Sequence, residues 1–325
     1  MKKNLLSFSL IAVACVVVAV LVWGVFITRR GIPFIAQREQ WTIGIYRGNS
    51  PFNYDSPLNI LNPVLKAEHV TDVPAKFVAD PFLVKEDRTF YLFFEVYNKD
   101  TDQGDLAVAT SANTFTWDYR QIILDEIFHL SYPYVFKWQE DYYLIPESYQ
   151  DHFIRLYRAD EFPYRWSLVT KLVEGNQFVD NSIVYFQGKW WLFACTLEND
   201  TLHLFYADQL TGPWNEHPAS PIVAGDVRKA RPSGRVLQYD GKLYRFTMDL
   251  EPPVGTHQVV AYQITELTTS RYAEKLAQAE PILQADGSGW NAQAMHQLDP
   301  VQVSPGQWIA SVDGFGTYLV FGKNY

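Results

Sequence analysis

Phe77-Val78-Ala79-Asp80-Pro81-Phe82-Leu83-Val84 is an apolar strand entered through one carboxylate and one proline. Proline is tolerated at the start of a strand and not in its middle, so the strand begins here. β-Branched and aromatic residues follow, and nothing polar nearby offsets Asp80. The chain makes a similar entrance four more times: Leu130-Ser131-Tyr132-Pro133-Tyr134-Val135-Phe136, Val179-Asp180-Asn181-Ser182-Ile183-Val184-Tyr185, Ala230-Arg231-Pro232-Ser233-Gly234-Arg235-Val236 and Ala294-Met295-His296-Gln297-Leu298-Asp299-Pro300-Val301. The starts recur at about fifty residues with one longer step, a spacing found in propeller blades.

Working outward, each entrance is followed by a second apolar strand, such as Phe90–Glu95, Tyr142–Glu147, Trp190–Cys195, Leu243–Met248 and Gln307–Val312. Third strands follow at 106–111, 154–159, 202–207, 257–264 and 317–323, with Gly, Asp or Asn at most turns. Fourth strands close several units, for instance 117–124 and 166–173. The last unit runs out after its third. Trp41-Thr42-Ile43-Gly44-Ile45-Tyr46-Arg47 has strand character and no local partner, so it is expected to complete the last blade and remove the open edges. The expected fold is all-β, a five-bladed β-propeller over 41–325 closed by an N-terminal strand. Residues 268–279 read as a loop or short helix that explains the long step.

Composition bounds the function. The chain has 325 residues, 48% of them hydrophobic, and a net charge of −9, with no basic run beyond the N-terminus. A nucleic-acid surface is therefore not expected, whereas a neutral or cationic ligand fits. The two cysteines, Cys15 and Cys195, form no disulfide framework, and no CxxC or HExxH spacing occurs, so neither a metal nor another cofactor is expected. Leu5 to Ile27 carries no charge and is long enough, at about 1.5 Å per residue, to cross a bilayer. We read 1–30 as an uncleaved single-pass membrane anchor, 31–40 as a tether, and the propeller as extracytoplasmic.

In such a ring the first strands line the axis, and the second run antiparallel to them. All entrances and all second-strand ends then gather at one rim. That places Asp80, Glu95, Glu147, Asp180, Arg231, Asp249, His296 and Asp313 together, with Tyr132, Tyr134, Arg235 and Trp290 around them. Two carboxyl groups flanking a glycosidic bond, one protonated and one ionised, are what glycoside cleavage needs, and aromatic faces stack on sugar rings. Carboxylates at strand ends also cap turns or pair with arginine, so the cluster is a stronger signal than any one member. Asp100-Thr101-Asp102 has the Asp-x-Asp pattern of many glycosyltransferases but sits in a hairpin connection, and a turn is the expected role.

Trp41–Tyr46, Ala79-Asp80-Pro81-Phe82, Tyr91–Glu95, Phe128-His129-Leu130-Ser131-Tyr132-Pro133, Ile145-Pro146-Glu147, Leu202–Asp208 and Ala230–Arg235 together resemble the N-terminal domain of plant glucosamine inositolphosphorylceramide transferases and of similar bacterial proteins. The resemblance runs from about 41 to 325. The glycosyltransferase domain of the plant proteins follows this one and has no counterpart here, so the transferase activity is not carried over. More remotely the chain resembles five-bladed arabinanase, levansucrase and invertase-type glycoside hydrolases. That resemblance implies Asp80 as base or nucleophile, with Glu147 as acid and Asp180 as positioning group the nearest matches. The Arg-Asp-Pro and Glu-Cys signatures of the invertase branch are missing. The expected function is a glycoside hydrolase or transglycosylase. The rival is a non-catalytic module binding a glycan or glycolipid, accessory to a separate glycosyltransferase.

Overall fold

A computed structural model describes residues 16–18, 20, 23–24, 35–251 and 257–321. Two compact units divide the chain, Gln40–Gly316 and a smaller one of Met1–Glu39 with Thr317–Tyr325. The larger unit holds the propeller. In chain order the strands are β1 (Ile35–Ser50) and β2 (Asn53–Asp55), then β3 (Ala75–Glu86), β4 (Thr89–Asn98), β5 (Gln103–Ser111) and β6 (Asp118–Leu124). Next come β7 (Ser131–Trp138), β8 (Asp141–Glu147), β9 (Phe153–Glu161) and β10 (Arg165–Glu174), followed by β11 (Phe178–Phe186), β12 (Lys189–Thr196), β13 (Leu202–Ala207) and β14 (Asn215–Glu216). The last are β15 (Leu237–Tyr239), β16 (Lys242–Asp249), β17 (Gln258–Leu267), β18 (Tyr272–Leu276), β19 (Leu298–Ser304) and β20 (Gln307–Phe321). They form five four-stranded sheets: β3–β6, β7–β10, β11–β14, β15–β18, and β19-β20-β1-β2.

The ring closes through β1, as the orphan strand at Trp41 led us to expect, but the roles inside the last blade differ. β20 runs unbroken through the segment read as a separate third strand, so β1 is third and the short β2 is fourth. The loop or helix expected at 268–279 is instead β18, the outer strand of the fourth blade, paired from Leu267↔Tyr272 to Tyr262↔Leu276. A short polar edge strand carries little of the alternation that marks a buried one. The first strand of that blade is broken. Pro232 makes only an isolated bridge to Thr247, and β15 begins at Leu237, because Pro232 lacks a donor and Gly234 has φ +123°. Among the described residues no helix is long and apolar enough to cross a membrane. Most of the anchor expected at 5–27 lies outside the described residues.

Aromatic pairs fill the seams between blades. Phe93 meets Trp166, Trp138 meets Trp190, Phe193 meets Tyr272 and Tyr239 meets Trp308, with ring centroids 6.1, 4.7, 6.2 and 5.5 Å apart. Burying such faces is the main stabilising term of the ring, since each aromatic removes about 150–250 Å² from water. Four of the ten tryptophans are thereby used in packing between blades, without invoking sugar binding.

Three entrances share a backbone device that positions the site. Asp80, Tyr132 and Asp180 have φ of +52°, +46° and +48°. Each sits in a β-bulge, where the ladder slips between Ala79 and Phe82, Ser131 and Tyr134, and Val179 and Ser182. The extra residue re-aims the side chain. Left-handed backbone costs a non-glycine residue roughly 1–3 kcal/mol, so surrounding structure must hold it there.

Candidate functional site

Beneath the rim the axis is filled. The Tyr132 hydroxyl lies 2.9 Å from Ser182 Oγ and 2.9 Å from the Gly234 carbonyl, and accepts the Gly234 N–H at 2.7 Å. One side chain thereby ties the second, third and fourth blades together. A Cβ on Gly234 would lie 1.8 Å from the Leu298 carbonyl oxygen, so only glycine allows this approach. Arg235 makes a two-pronged pair with Asp299 (Nη2 to Oδ2 2.7 Å) and donates to the Leu83 carbonyl, while Asp299 accepts the Leu83 N–H at 2.6 Å. The Tyr134 hydroxyl donates to the Ile183 carbonyl at 2.5 Å. Tyr132, expected to meet substrate, is thus 1% exposed, with its ring edge on Phe82 and its hydroxyl engaged by protein. Together with Tyr134 and Arg235 it plugs the axis.

Above the plug the rim brings Asp80, Glu95, Glu147, Asp180, Arg231, His296 and Asp313 together. Asp313 accepts the N–H groups of Asp80 (3.0 Å), Gln297 (2.9 Å) and His296 (3.3 Å), and sits 2.8 Å from His296 Nδ1. It locks the fifth blade to the first. The other ring nitrogen of His296 is 3.7 Å from Asp80 Oδ1, and Asp80 Oδ2 accepts the Tyr132 N–H at 3.3 Å. On the far side Arg231 donates through Nε to Asp180 Oδ2 at 2.5 Å and through Nη1 to Asn199 at 3.0 Å, and stands 4.0 Å from Glu147. Glu147 accepts the Asp180 N–H at 3.1 Å.

These carboxyls differ in proton affinity. Burial pushes Asp80 up to about 7; Asp180 and Asp313 add to this, and His296 and Arg231 oppose it. Burial also carries Glu95 and Glu147 well above the usual carboxylate range, helped by Asp80 for Glu95 and by Asp180 for Glu147. Burial alone would make His296 and Arg231 lose protons more readily. The facing carboxylates, Asp313 for His296 and Asp180 for Arg231, outweigh it and raise both. His129 behaves oppositely: burial lowers it to about 4, and its Nδ1 accepts the Gly104 N–H at 2.9 Å. The neutral ring therefore carries its proton on Nε2, 3.6 Å from Glu95 Oε1.

A cavity of about 480 Å³ opens onto this rim, lined by Trp41, Asn199, Arg231, Met248, His257 and His296. Trp41 stacks on His296 with centroids 4.0 Å apart and planes at 18°. Several buried atoms along the entrances have no hydrogen-bond partner: Asp180 Oδ1, both amide atoms of Asn181, Thr247 Oγ1, Gln297 Nε2 and His257 Nδ1. Buried polar groups are ordinarily satisfied; of these residues His257 lines the cavity, and Asp180 meets its wall through Arg231.

Two expected members are elsewhere. Asp249 ends β16 and caps the following turn, accepting the Glu251 N–H at 2.9 Å and Gln258 Nε2 at 3.0 Å. Trp290 lies inside the last blade, edge-on to Tyr46 and against the bare faces of Gly44 and Gly314, so it packs and offers no face to a sugar. Sequence reasoning missed Trp41, His129, Asn199 and His257 as rim groups. Trp41 was legible only as a closing strand, and Asn199 and His257 sit in loops without a repeat signal. Asp100-Thr101-Asp102 is a turn, with the Tyr97 hydroxyl on Asp102 and Asp102 at φ +55°.

Asp80, His296 and Asp313 offer ligand-type atoms within 4.8 Å of one another. Asp313 is already engaged by three backbone N–H groups and the imidazole, which leaves it poorly suited to a cation.

Fold and rim together define a five-bladed propeller with an axial carboxylate site. The catalytic domain of the Coprinopsis cinerea GH62 alpha-L-arabinofuranosidase superposes with a TM-score of 0.58 at 13% identity, covering 87% of this chain and 98% of that one. Bacteroides ovatus xyloglucan PUL GH43B gives 0.56 at 12% identity, over 76% of this chain and 53% of that one. At such identities the likeness is one of fold. The family model for the N-terminal region of glucosamine inositolphosphorylceramide transferase 1 matches residues 36–315, and the chain belongs to that family. Glucosamine inositolphosphorylceramide transferase 1 of Oryza sativa subsp. japonica is 36% identical over 297 residues, 84% of this chain and 40% of the rice protein. Its Arabidopsis thaliana counterpart is 34% identical over 299 residues, 84% and 39%. The chain thus spans about 40% of the length of these curated relatives.

Proposed function

We propose that the rim is a carbohydrate-active site that cleaves or transfers a glycosidic bond. The observation that carries this is the division among neighbouring carboxyls: Asp180 is paired with Arg231, while Glu147 and Asp80, beside it, hold protons unusually well. A carboxyl that keeps its proton can serve as acid, and one that titrates near neutrality can serve as base. Glu147 gives its proton to the leaving oxygen as the bond to the anomeric carbon breaks. Asp80, poised near neutrality, accepts the proton of the water or sugar hydroxyl whose oxygen forms the new bond, or attacks as nucleophile itself. Asp180 orients Glu147 through its N–H and holds Arg231 beside it. Trp41 and His296 form the wall on which a sugar ring rests.

The rival reading, a glycan- or glycolipid-binding module serving a separate glycosyltransferase, draws on membership of a family whose curated relatives are named as transferases. A glycan panel assayed for both binding and product release separates the two, with wild type beside Asp80→Asn and Glu147→Gln. The hydrolytic reading expects at least about a hundredfold loss of turnover with binding largely kept. Bound glycan without product from wild type favours the module, and equal product from all three proteins removes the site. We further propose that residues 5–27 anchor the chain in a membrane with the propeller extracytoplasmic, on the strength of their length and lack of charge. Protease protection in sealed vesicles tests this. Digestion of the propeller from the cytoplasmic side contradicts the orientation.

A further inference from the structure

Two residues lining the rim cavity, His257 and Asn199, each keep a donor that the protein does not use. His257 stands just before β17, where its carbonyl accepts the Met295 N–H at 3.2 Å, and its ring lies at 23° to Trp41 with centroids 6.5 Å apart. Its Nδ1 is buried without a hydrogen-bond partner, so the edge of the half-buried ring that meets the cavity carries Nε2. A buried N–H without an acceptor forfeits its hydration outright, which puts the proton on Nε2. Burial, with His296 and Arg231 adding to it and Asp313 opposing, lowers the ring to about 4 and leaves it uncharged at neutral pH. Asn199, in the loop between β12 and β13, has φ +65°, and its Oδ1 accepts from Arg231 Nη1 at 3.0 Å. A guanidinium only donates, so the amide orientation is settled and Nδ2 is the end left over. Among the described residues Nδ2 donates to nothing. The cations of the wall are already matched, Arg231 by Asp180 and His296 by Asp313, and Glu198 is exposed to solvent.

We propose that His257 and Asn199 are the recognition pair of this cavity, donating through Nε2 and Nδ2 to two oxygens of an uncharged sugar ring that rests on Trp41. This rests on the carbohydrate-active reading of the rim and adds the class of sugar it takes. Neutral donors suit hydroxyl oxygens, which accept as well as donate. An amino sugar brings an ammonium that only donates, and it would face two donors beside Arg231 and His296. A uronic acid would bring its carboxylate beside Asp180 and Asp313, whose charges already balance the two cations.

Calorimetry of the full chain tests this with the methyl glycosides of glucose, galactose, mannose and arabinose beside those of glucosamine and glucuronic acid. At least one uncharged glycoside should saturate, and neither charged one should bind as tightly. On saturation the imidazole resonance of His257, assigned by its loss in His257→Gln, should move. His257→Leu should weaken that glycoside roughly fivefold, and His257→Gln, which carries a donor amide, should restore part of the loss. Asn199→Asp keeps the bond from Arg231 and tolerates the same backbone, but replaces the donor with an acceptor. It should weaken the uncharged glycoside at least about fivefold and shift preference toward the glucosaminide. Should His257→Leu fail to fold, Asn199→Asp reads the same pair. Glu147→Gln should leave this binding as it is while removing turnover. Binding without product from wild type therefore fails the chemistry proposed for the rim and leaves the recognition pair standing. Product with no loss of affinity in the His257 and Asn199 variants overturns the pair and leaves the chemistry. The pair is also overturned if no uncharged glycoside binds, if a charged one binds as tightly, or if the His257 resonance stays in place.

Discussion

Two arginines, Arg231 and Arg235, meet carboxylates on the propeller axis in opposite circumstances. Arg235 and Asp299 face each other two-pronged, and their remaining capacity goes to the backbone of Leu83, so the first, fourth and fifth blades are joined with nothing left over. Arg231 makes one bond to Asp180 and one to Asn199, with Glu147 at 4.0 Å and Asp180 Oδ1 without a partner. The residue types are the same. A closed set of buried polar groups holds a fold, whereas an open set beside a cavity keeps capacity for something else.

Substituting each arginine should break this comparison most visibly. Arg235→Met leaves Asp299 buried and unpaired, which costs about 3–5 kcal/mol. Arg231→Met faces a cavity and neighbours that can take up protons, so about 1–2 kcal/mol is expected. Urea unfolding of both measures it, and equal losses would mean the two sets are alike.

A smaller effect follows from pH. Asp80 binds its proton more tightly folded than unfolded, so the folded state holds more protons between about pH 4 and 7. Its contribution is present below about 4 and lost as pH rises through about 7. Glu95, Glu147 and His296 are also raised when folded and act in the same direction. Stability should therefore fall as pH rises over that window, by on the order of a few kcal/mol. Asp80→Asn should flatten part of the slope and be more stable than wild type at neutral pH. A slope of opposite sign would show that the rim carboxyls are satisfied.

How far the sequence foretold this follows the same division. The entrances at Asp80, Tyr132 and Asp180 were legible because proline, carboxylate and apolar runs repeat at one spacing, and that repeat also predicted the ring and the gathering at one rim. The fates of Tyr132, Asp249 and Trp290 were not legible. Whether a rim side chain turns into the axis, into a turn or under a blade depends on bulges and on contacts a hundred residues away, as between Tyr132 and Gly234. Nor does local sequence mark Trp41, His129, Asn199 and His257, which arrive from separate loops and a closing strand.

The smallest of these effects concerns the mouth. Trp41→Ala removes the ring stacked on His296 while leaving the carboxyls alone, and should weaken glycan binding by roughly 1 kcal/mol, about fivefold. Turnover at saturation should change less. A fall in saturated turnover with affinity kept would move Trp41 from the wall of the site to its chemistry.

The central claim is that the rim is an open set, and the titration of Asp80 tests it most directly. Carboxyl carbon resonances followed against pH, with Asp80 assigned by its loss in Asp80→Asn, give the apparent midpoint of the group it forms with His296. The account predicts a midpoint of about 7. A midpoint in the ordinary aspartate range, about 4, would mean that Asp80 is as fully partnered as a structural carboxylate and would contradict it.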